Sequence, residues 1–297
     1  MQFHNLTVSA IMKHMEKRIS RLSPKKRYLQ IALNGTLDEA FGVIARLPIS
    51  DRILVEAGTP LIKRYGEEGI RKIRLWYTQH IAGMPMLSGE QTMPTANTQL
   101  PSLISYFMEM KAHKDREKNF YREMTSYSQP HLISVAKQPT PYVVADLKMM
   151  DRGETEVEIA ARGGADAAVA LGRAPIESLN AFVEACEHLG LDAMIDMMNV
   201  EYPIAILREM KKLPRVVILH RGVDETEDNK QKMLPLYEIR RIKGAYDVMI
   251  SIDGGDTLRE VQSSFFNDAD IAVVWKDFYH AHGNIASIAH DFLNEVK

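Results

Sequence analysis

The chain has 297 residues, 45% hydrophobic and 26% charged, with a formal net charge of −2 and an isoelectric point near 6.6. This is globular composition with length for one large core, and the balanced charge excludes a global pull toward nucleic acid or anionic lipid. One cysteine, Cys186, excludes an internal disulfide and fits a reducing compartment.

No apolar run reaches the length of a membrane span. Lys13, Glu16, Lys17 and Arg18 interrupt the apolar positions that a signal peptide needs. A cytoplasmic protein is expected. Residues 1–27 read as one amphipathic helix ended by Pro24. Ile11, Met15, Ile19 and Leu22 recur at three and four residues and share a stripe, while Lys13, Lys17, Arg18, Arg21, Lys25, Lys26 and Arg27 cover the other side. Such a helix packs outside the main fold with a solvated basic face, or offers that face to an acidic partner or membrane surface.

The chain then alternates. Strand-like apolar runs fall at Tyr28–Leu33, Arg52–Ala57, Tyr142–Leu147, Asp166–Leu171, Asp192–Met197, Arg215–His220, Asp247–Ile252 and Asp270–Trp275. Helix-like patterns fall at Thr36–Arg46, Thr59–Leu75, Gly153–Gly163, Pro175–Leu189, Pro203–Leu213, Pro235–Lys243, Thr257–Asn267 and Ile285–Val296. Pro175, Pro203 and Pro235 suit first helical turns. Eight β-then-α units predict a (β/α)8 TIM barrel over residues 28–297. Residues 77–140 break the rhythm as an insertion between the second helix and the third strand. Met84–Gln99 reads as loop, and Leu103–Met124 as a helix of roughly 33 Å. The insertion joins at the N-terminal rim, where a packing or oligomer role is expected, or else a docking arm.

Chemistry in such a barrel gathers where strands end. The predicted ends carry Asn34-Gly35, Glu56-Ala57-Gly58-Thr59, Asp146-Leu147-Lys148, Gly172-Arg173, Asp196 with Asn199, His220-Arg221-Gly222, Asp253-Gly254-Gly255-Asp256 and Trp275-Lys276-Asp277. The run from Val144 to Asp151 stands out. Period 2 on a strand puts Asp146 and Lys148 on one face, and Asp151 follows on the loop or helix start. Charges are rarely buried unpaired, so the cluster is either a salt-bridged strand end or a site. Taken singly, Glu56 can simply pair with Lys148, His220 can be a buried strand-end histidine, and Gly58 and Gly222 can be turn glycines. A ring of polar groups at one rim favours an active site.

These residues resemble the 3-hexulose-6-phosphate synthases of the orotidine-5'-phosphate decarboxylase superfamily. The run Ile53–Lys63 is similar to that family's second strand and loop, Val144–Asp151 to its third, Leu29–Leu33 to its first and Val217–Asp224 to its sixth. The resemblance covers Tyr28–Trp76 and Pro141 onward, but not the N-terminal helix or the insertion. It implies a Mg²⁺-dependent carbon–carbon lyase that joins formaldehyde to ribulose 5-phosphate through an enediolate, or runs in reverse. It implies Mg²⁺ on Glu56 and Asp146, with Lys148 adding positive charge to the enediolate or carrying its proton, and His220 as acid or base at the formaldehyde carbon. It implies a homodimer in which Asp151 reaches the neighbouring subunit's site. It places phosphate at glycine-rich turns after the last two strands, so either Gly254 and Gly255 hold it here with Lys276 and Arg221 or Arg173 assisting, or the phosphate pocket is gone.

Three places depart from the family pattern. Asn34 stands where the family has an Asp after the first strand, exchanging an acceptor charge for an amide. Asp253 and Asp256 flank the glycine pair and repel phosphate, and Trp275-Lys276 replaces the glycines expected after the last strand. The segment from Asp277 to Gly283 is unlike the family; it reshapes the site mouth, or its His280 and His282 bind a metal. Two rival readings follow: a divergent paralogue on the same barrel with another ligand or a decarboxylase-like reaction, and a non-catalytic binding protein.

Overall fold

The computed structural model describes residues 20–86, 139–229, 233–255, 257–276, 278 and 284–295. Eight parallel strands close into a barrel in chain order, β1 through β8. They are β1 (Tyr28–Leu33), β2 (Ile53–Ala57), β3 (Val143–Met149), β4 (Ala167–Leu171), β5 (Asp192–Asp196), β6 (Val216–His220), β7 (Met249–Asp253) and β8 (Ile271–Val274). The ring is completed by β1 against β8, with Tyr28 opposite Ile271. The helices are α1 (Leu37–Ile44), α2 (Thr59–Ile81), α3 (Gly153–Arg162), α4 (Ile176–Leu189), α5 (Pro203–Glu209), α6 (Val223–Asp228), α7 (Tyr237–Lys243), α8 (Leu258–Phe266) and α9 (Ile285–Glu295). The predicted (β/α)8 barrel is therefore present. The short α6 was not expected.

Local chemistry accounts for several boundaries. Thr36 and Thr257 cap α1 and α8 through reciprocal bonds with Glu39 and Glu260, which satisfies amide donors that a helix start leaves open. Gly66 interrupts α2 at φ 59 and ψ −146, a conformation open mainly to glycine.

Side chains alternate across each strand and so make two cores. One lies between sheet and helices. The other includes Leu54, Val144, Met194, Ile218, Met249 and Ile271. Two residues further along four of these strands come Glu56, Asp146, Asp196 and His220, and Asp253 lies four beyond Met249 on β7. The alternation thus turns from apolar in the barrel to ionisable at its mouth.

The N-terminal expectation needs correction. Residues 20–27 form turns and extended chain rather than the end of a helix; residues 1–19 lie outside the described residues. Nor does this segment rest outside the fold. Leu22 is 2% exposed and joins the inner-barrel cluster. Its carbonyl accepts from Arg215 Nη2 at 2.6 Å, and Ser20 Oγ donates to Asp192 at 2.8 Å. Arg21 pairs with the buried Asp166 and lies 5.3 Å over the Tyr142 ring. A basic residue placed on a solvated face by periodicity is held instead by a carboxylate at the barrel's N-terminal end.

The insertion boundary also moves. α2 runs to Ile81, with Tyr77 and Ile81 buried, and Tyr77 OH donates to the Ile53 carbonyl at 2.9 Å. Tyr77 therefore belongs to the barrel. The helix expected at Leu103–Met124 lies outside the described residues. No helix among the described residues is long and apolar enough to cross a membrane.

Candidate active site

At the mouth, β3, β5, β6 and β7 bring five side chains into one network. Lys148 Nζ lies 3.0 Å from Asp146 Oδ2 and 3.0 Å from Asp196 Oδ2. The same Asp196 oxygen lies 2.8 Å from His220 Nδ1, and Asp253 Oδ2 stands 3.4 Å from that nitrogen. Asp196 Oδ1 accepts the Met198 amide at 2.9 Å. Glu56 enters from β2, where Gln30 on β1 donates its amide to it. Thr59 Oγ1 lies 2.9 Å from Asp146 Oδ2 and 2.8 Å from the Asp146 carbonyl, its one proton serving one of them.

The meeting of Asp146 and Lys148 rests on more than strand period. The β3–β4 register shifts between Ala145 and Met149, and Lys148 has φ 45. A β-branched or bulky residue there is strained, and strain of this kind concentrates where a side chain must be aimed.

Burial sets the electrostatics. It pushes Glu56 well above the usual carboxylate range, aided by Asp146 and Asp253. Burial also raises Asp146, although Lys148 opposes it. For Asp196 burial works upward but is outweighed by His220 and Lys148, so its carboxyl stays below the ordinary value. Desolvation disfavours charge on Lys148, yet Asp146, Asp196, Asp253 and Glu56 together hold it as an ammonium. His220 follows the same logic: desolvation lowers it, Asp253 and Asp196 outweigh that, and it is pushed up to about 9.

The cluster sets Glu56, Asp146, Asp196 and Asp253 against Lys148 and His220. Asp146 Oδ1 is buried with no hydrogen-bond partner among the described residues. An unsatisfied buried carboxylate oxygen beside a second desolvated carboxylate suits a small hard cation, whose other ligands are water and substrate oxygens. No group of three or more histidine, cysteine or acidic side chains placed to hold a metal ion occurs among the described residues.

Other expected residues take different places. Asn34 lies against the β2 turn: a Cβ on Gly58 would stand 1.9 Å from Asn34 Oδ1. Gly58, at φ −72, is thus required for close approach rather than for turn geometry. Asp151 is exposed beyond β3, with Ser178 Oγ at 3.5 Å, and is not gathered with the network. Arg221 Nη2 donates to the Gly254 carbonyl at 2.6 Å and to Glu260 Oε1 at 2.8 Å, so this guanidinium ties the β6 and β7 ends together. Gly254 has φ 92, and a Cβ there would meet the Arg221 carbonyl oxygen at 2.2 Å; Gly255 is buried beside it. Lys276 Nζ lies 5.4 Å from the Trp275 ring centroid, a cation–π arrangement. Arg173 Nη1 donates to the Asn199 carbonyl at 3.1 Å. Asp256, His280 and His282 lie outside the described residues.

The sequence places Thr59, Asp196 and Asp253 at the rim, Asp253 only as a group repelling phosphate and the other two with no assigned part, and it gives no place to Gln30. The available signal was the inward phase of each strand: Gln30 is a polar residue within the apolar run of β1 and is 1% exposed.

A closed parallel barrel whose strand ends converge on buried carboxylates, a lysine and an imidazole defines a protein of the (β/α)8 class with an enzyme-type mouth. A family model matches residues 110–274, more than half of the chain. The chain belongs to the orotidine 5'-phosphate decarboxylase / HUMPS family. A relative named bifunctional enzyme Fae/Hps, from Methanosarcina mazei, is 29% identical over 271 residues, covering 91% of this chain and 53% of that protein. The chain spans about half the length of the curated relatives it matches. Among solved structures, 3-hexulose-6-phosphate synthase from Salmonella typhimurium has a TM-score of 0.61 at 19% identity, covering 91% of this chain and 98% of that one. A 3-keto-L-gulonate-6-phosphate decarboxylase from Vibrio cholerae has a TM-score of 0.57 at 16% identity, covering 92% and 98%. At these identities the solved structures speak to the fold.

Proposed function

We propose that the chain is a Mg²⁺-dependent carbon–carbon lyase of the 3-hexulose-6-phosphate synthase type, joining formaldehyde to ribulose 5-phosphate through an enediolate. The observation that carries this reading is the Asp146–Lys148–Asp196–His220 network, with 3.0, 3.0 and 2.8 Å contacts. Glu56 and Asp146 would hold Mg²⁺, and the unpartnered Asp146 Oδ1 supports that assignment. A bound Mg²⁺ supplies Lewis acidity toward the sugar's oxygens.

Lys148 remains an ammonium in this setting and sets positive charge against the enediolate. It serves as an electrostatic stabiliser, and a carboxylate of the same network takes the proton removed from the carbon beside the ketone. Asp196 holds both Lys148 and His220. With Nδ1 facing Asp196 and Asp253, the imidazolium gives a proton to the aldehyde oxygen as the new bond forms, and the imidazole takes it back in cleavage. Asp151 acts across a homodimer interface in this reading, and Asn34 fixes the β2 turn.

The test is formaldehyde consumption by purified protein with ribulose 5-phosphate and Mg²⁺. Steady loss of formaldehyde is expected. No loss, together with no binding of the ketose phosphate, overturns the reading.

A second reading keeps the barrel and the network but changes the ligand. It is favoured by Arg221 bonded to Glu260 and by Lys276 lying over Trp275, side chains otherwise suited to phosphate. Thermal shift separates the two: phosphate esters stabilise the protein only under the first, by an amount set by concentration over Kd.

A further inference from the structure

We infer that Glu260 is an internal competitor for the substrate phosphate: its carboxylate holds Arg221 in the free protein, and a phosphate must displace it there. The ligand concerned is a ketose phosphate, so the inference rests on the lyase reading above.

Arg221, Gly254 and Gly255, the residues expected around the phosphate, all touch Glu260 or its partner. Arg221 Nη2 donates to Glu260 Oε1 at 2.8 Å and to the Gly254 carbonyl at 2.6 Å. A Cβ on Gly255 would stand 3.3 Å from Glu260 Cβ, so Glu260 backs directly on the glycine pair. Its other oxygen, Oε2, accepts from the Thr257 amide at 3.2 Å and from Thr257 Oγ1 at 2.9 Å. One carboxylate thus takes a guanidinium donor and a backbone amide beside the strand-seven turn. These are two of the donor types by which proteins hold phosphate.

A second capping box in the same chain separates this role from helix capping. Glu39 Oε2 accepts from the Thr36 amide at 2.6 Å and from Thr36 Oγ1 at 3.0 Å, the same pair of bonds that Glu260 Oε2 makes to Thr257. Capping therefore uses one oxygen. The other oxygen of Glu260 reaches an arginine from a different strand end, 39 residues away in the chain. Desolvation raises the Glu260 carboxyl, but Thr257 and Arg221 outweigh it and hold it below the usual carboxylate range, so the competitor is charged at neutral pH. A phosphate arriving at Arg221 loses affinity twice: the guanidinium is already paired, and the displaced carboxylate stays close by and repels it.

The experiment measures Kd for ribulose 5-phosphate, ribulose and inorganic phosphate by calorimetry, with the full chain and Mg²⁺ and no aldehyde. The ratio of the two ketose constants gives the phosphate's share of binding. Glu260→Gln removes the charge, and glutamine still serves a capping box, so the fold is kept. It should raise the ratio at least about tenfold, the size of one hydrogen bond to a charged group. Inorganic phosphate should bind this variant at least about tenfold more tightly than the wild type. Glu39→Gln neutralises the other capping carboxylate and should change neither quantity; thermal midpoints of both variants check folding. An equal ratio in wild type and Glu260→Gln overturns the inference and leaves the lyase reading standing, as does an equal rise in Glu39→Gln. Binding of neither ketose overturns the lyase reading, and inorganic phosphate then decides alone: tighter binding to Glu260→Gln upholds the competitor, and equal binding overturns it.

Discussion

Asp196 Oδ2 lies 2.8 Å from His220 Nδ1, and the same oxygen lies 3.0 Å from Lys148 Nζ. One buried carboxylate atom thus couples a strand-six imidazole to a strand-three ammonium. Removing its charge strands two cations at the mouth. Asp196→Asn should lower stability by about 3 kcal/mol, because breaking a buried pair leaves its partners uncompensated. It should reduce kcat/KM on the order of a hundredfold through the proton-transfer step. Urea midpoints and steady-state kinetics on one preparation check both; unchanged turnover would remove Asp196 from the mechanism.

The same pairing predicts a pH dependence. His220 titrates at about 9 in the folded chain, above its ordinary value of about 6.5 in an unfolded one. The raised group contributes stability that is fully present below about pH 6.5 and lost as pH climbs through about 9, a contribution of order 3 kcal/mol. Urea midpoints should therefore fall between about pH 6 and about pH 10, and His220→Gln should flatten that difference. Turnover should decline over the same upper limb as the imidazolium loses its proton. A midpoint difference equal in wild type and His220→Gln would assign the effect elsewhere.

Gly58 and Asn34 form a steric pair, since a Cβ at 58 would stand 1.9 Å from Asn34 Oδ1. Gly58→Ala should cost about 1–3 kcal/mol by overpacking. Adding Asn34→Ala removes the obstructing oxygen, so the double variant should recover most of that loss. Additive costs in the cycle would show that the contact is not the cause.

Magnesium should raise the melting temperature, because Glu56 and Asp146 are desolvated carboxylates. At a hundredfold excess over Kd the gain is about 2.7 kcal/mol. Glu56→Gln with Asp146→Asn should abolish the gain, and calorimetry without any substrate reads it. A melting temperature indifferent to Mg²⁺ in the wild type contradicts the assigned cation.

Leu22 sits at the end of the barrel opposite this network, packed with residues such as Tyr28 and Leu54. Leu22→Ala should cost about 3 kcal/mol, as for other buried leucines, and leave kcat unchanged. A fall in kcat at full stability would mean that the N-terminal segment acts on the mouth.

The barrel was legible because its cause is local and repeated. Apolar runs of strand length, separated by helical spacing with proline at first turns, admit few arrangements. Asp146, Lys148, Glu56 and His220 were legible for the same reason, each standing at the end of such a run. Strand period alone did not foresee the left-handed Lys148 or the register shift that accompanies it. Periodicity also misread residues 20–27, since Leu22 keeps a helical phase with its neighbours while a barrel end and Asp166 decide where it and Arg21 go.

By itself, the sequence determined the number and order of strands and which strand ends carry ionisable groups, because those depend on alternation along the chain. Only the tertiary structure decided that Asp196 is shared between Lys148 and His220, that Asp253 faces the same imidazole, and that Arg221 bonds Glu260. These are relations between strands, set by barrel closure and the stagger of neighbouring ends. No residue's neighbours along the chain encode them.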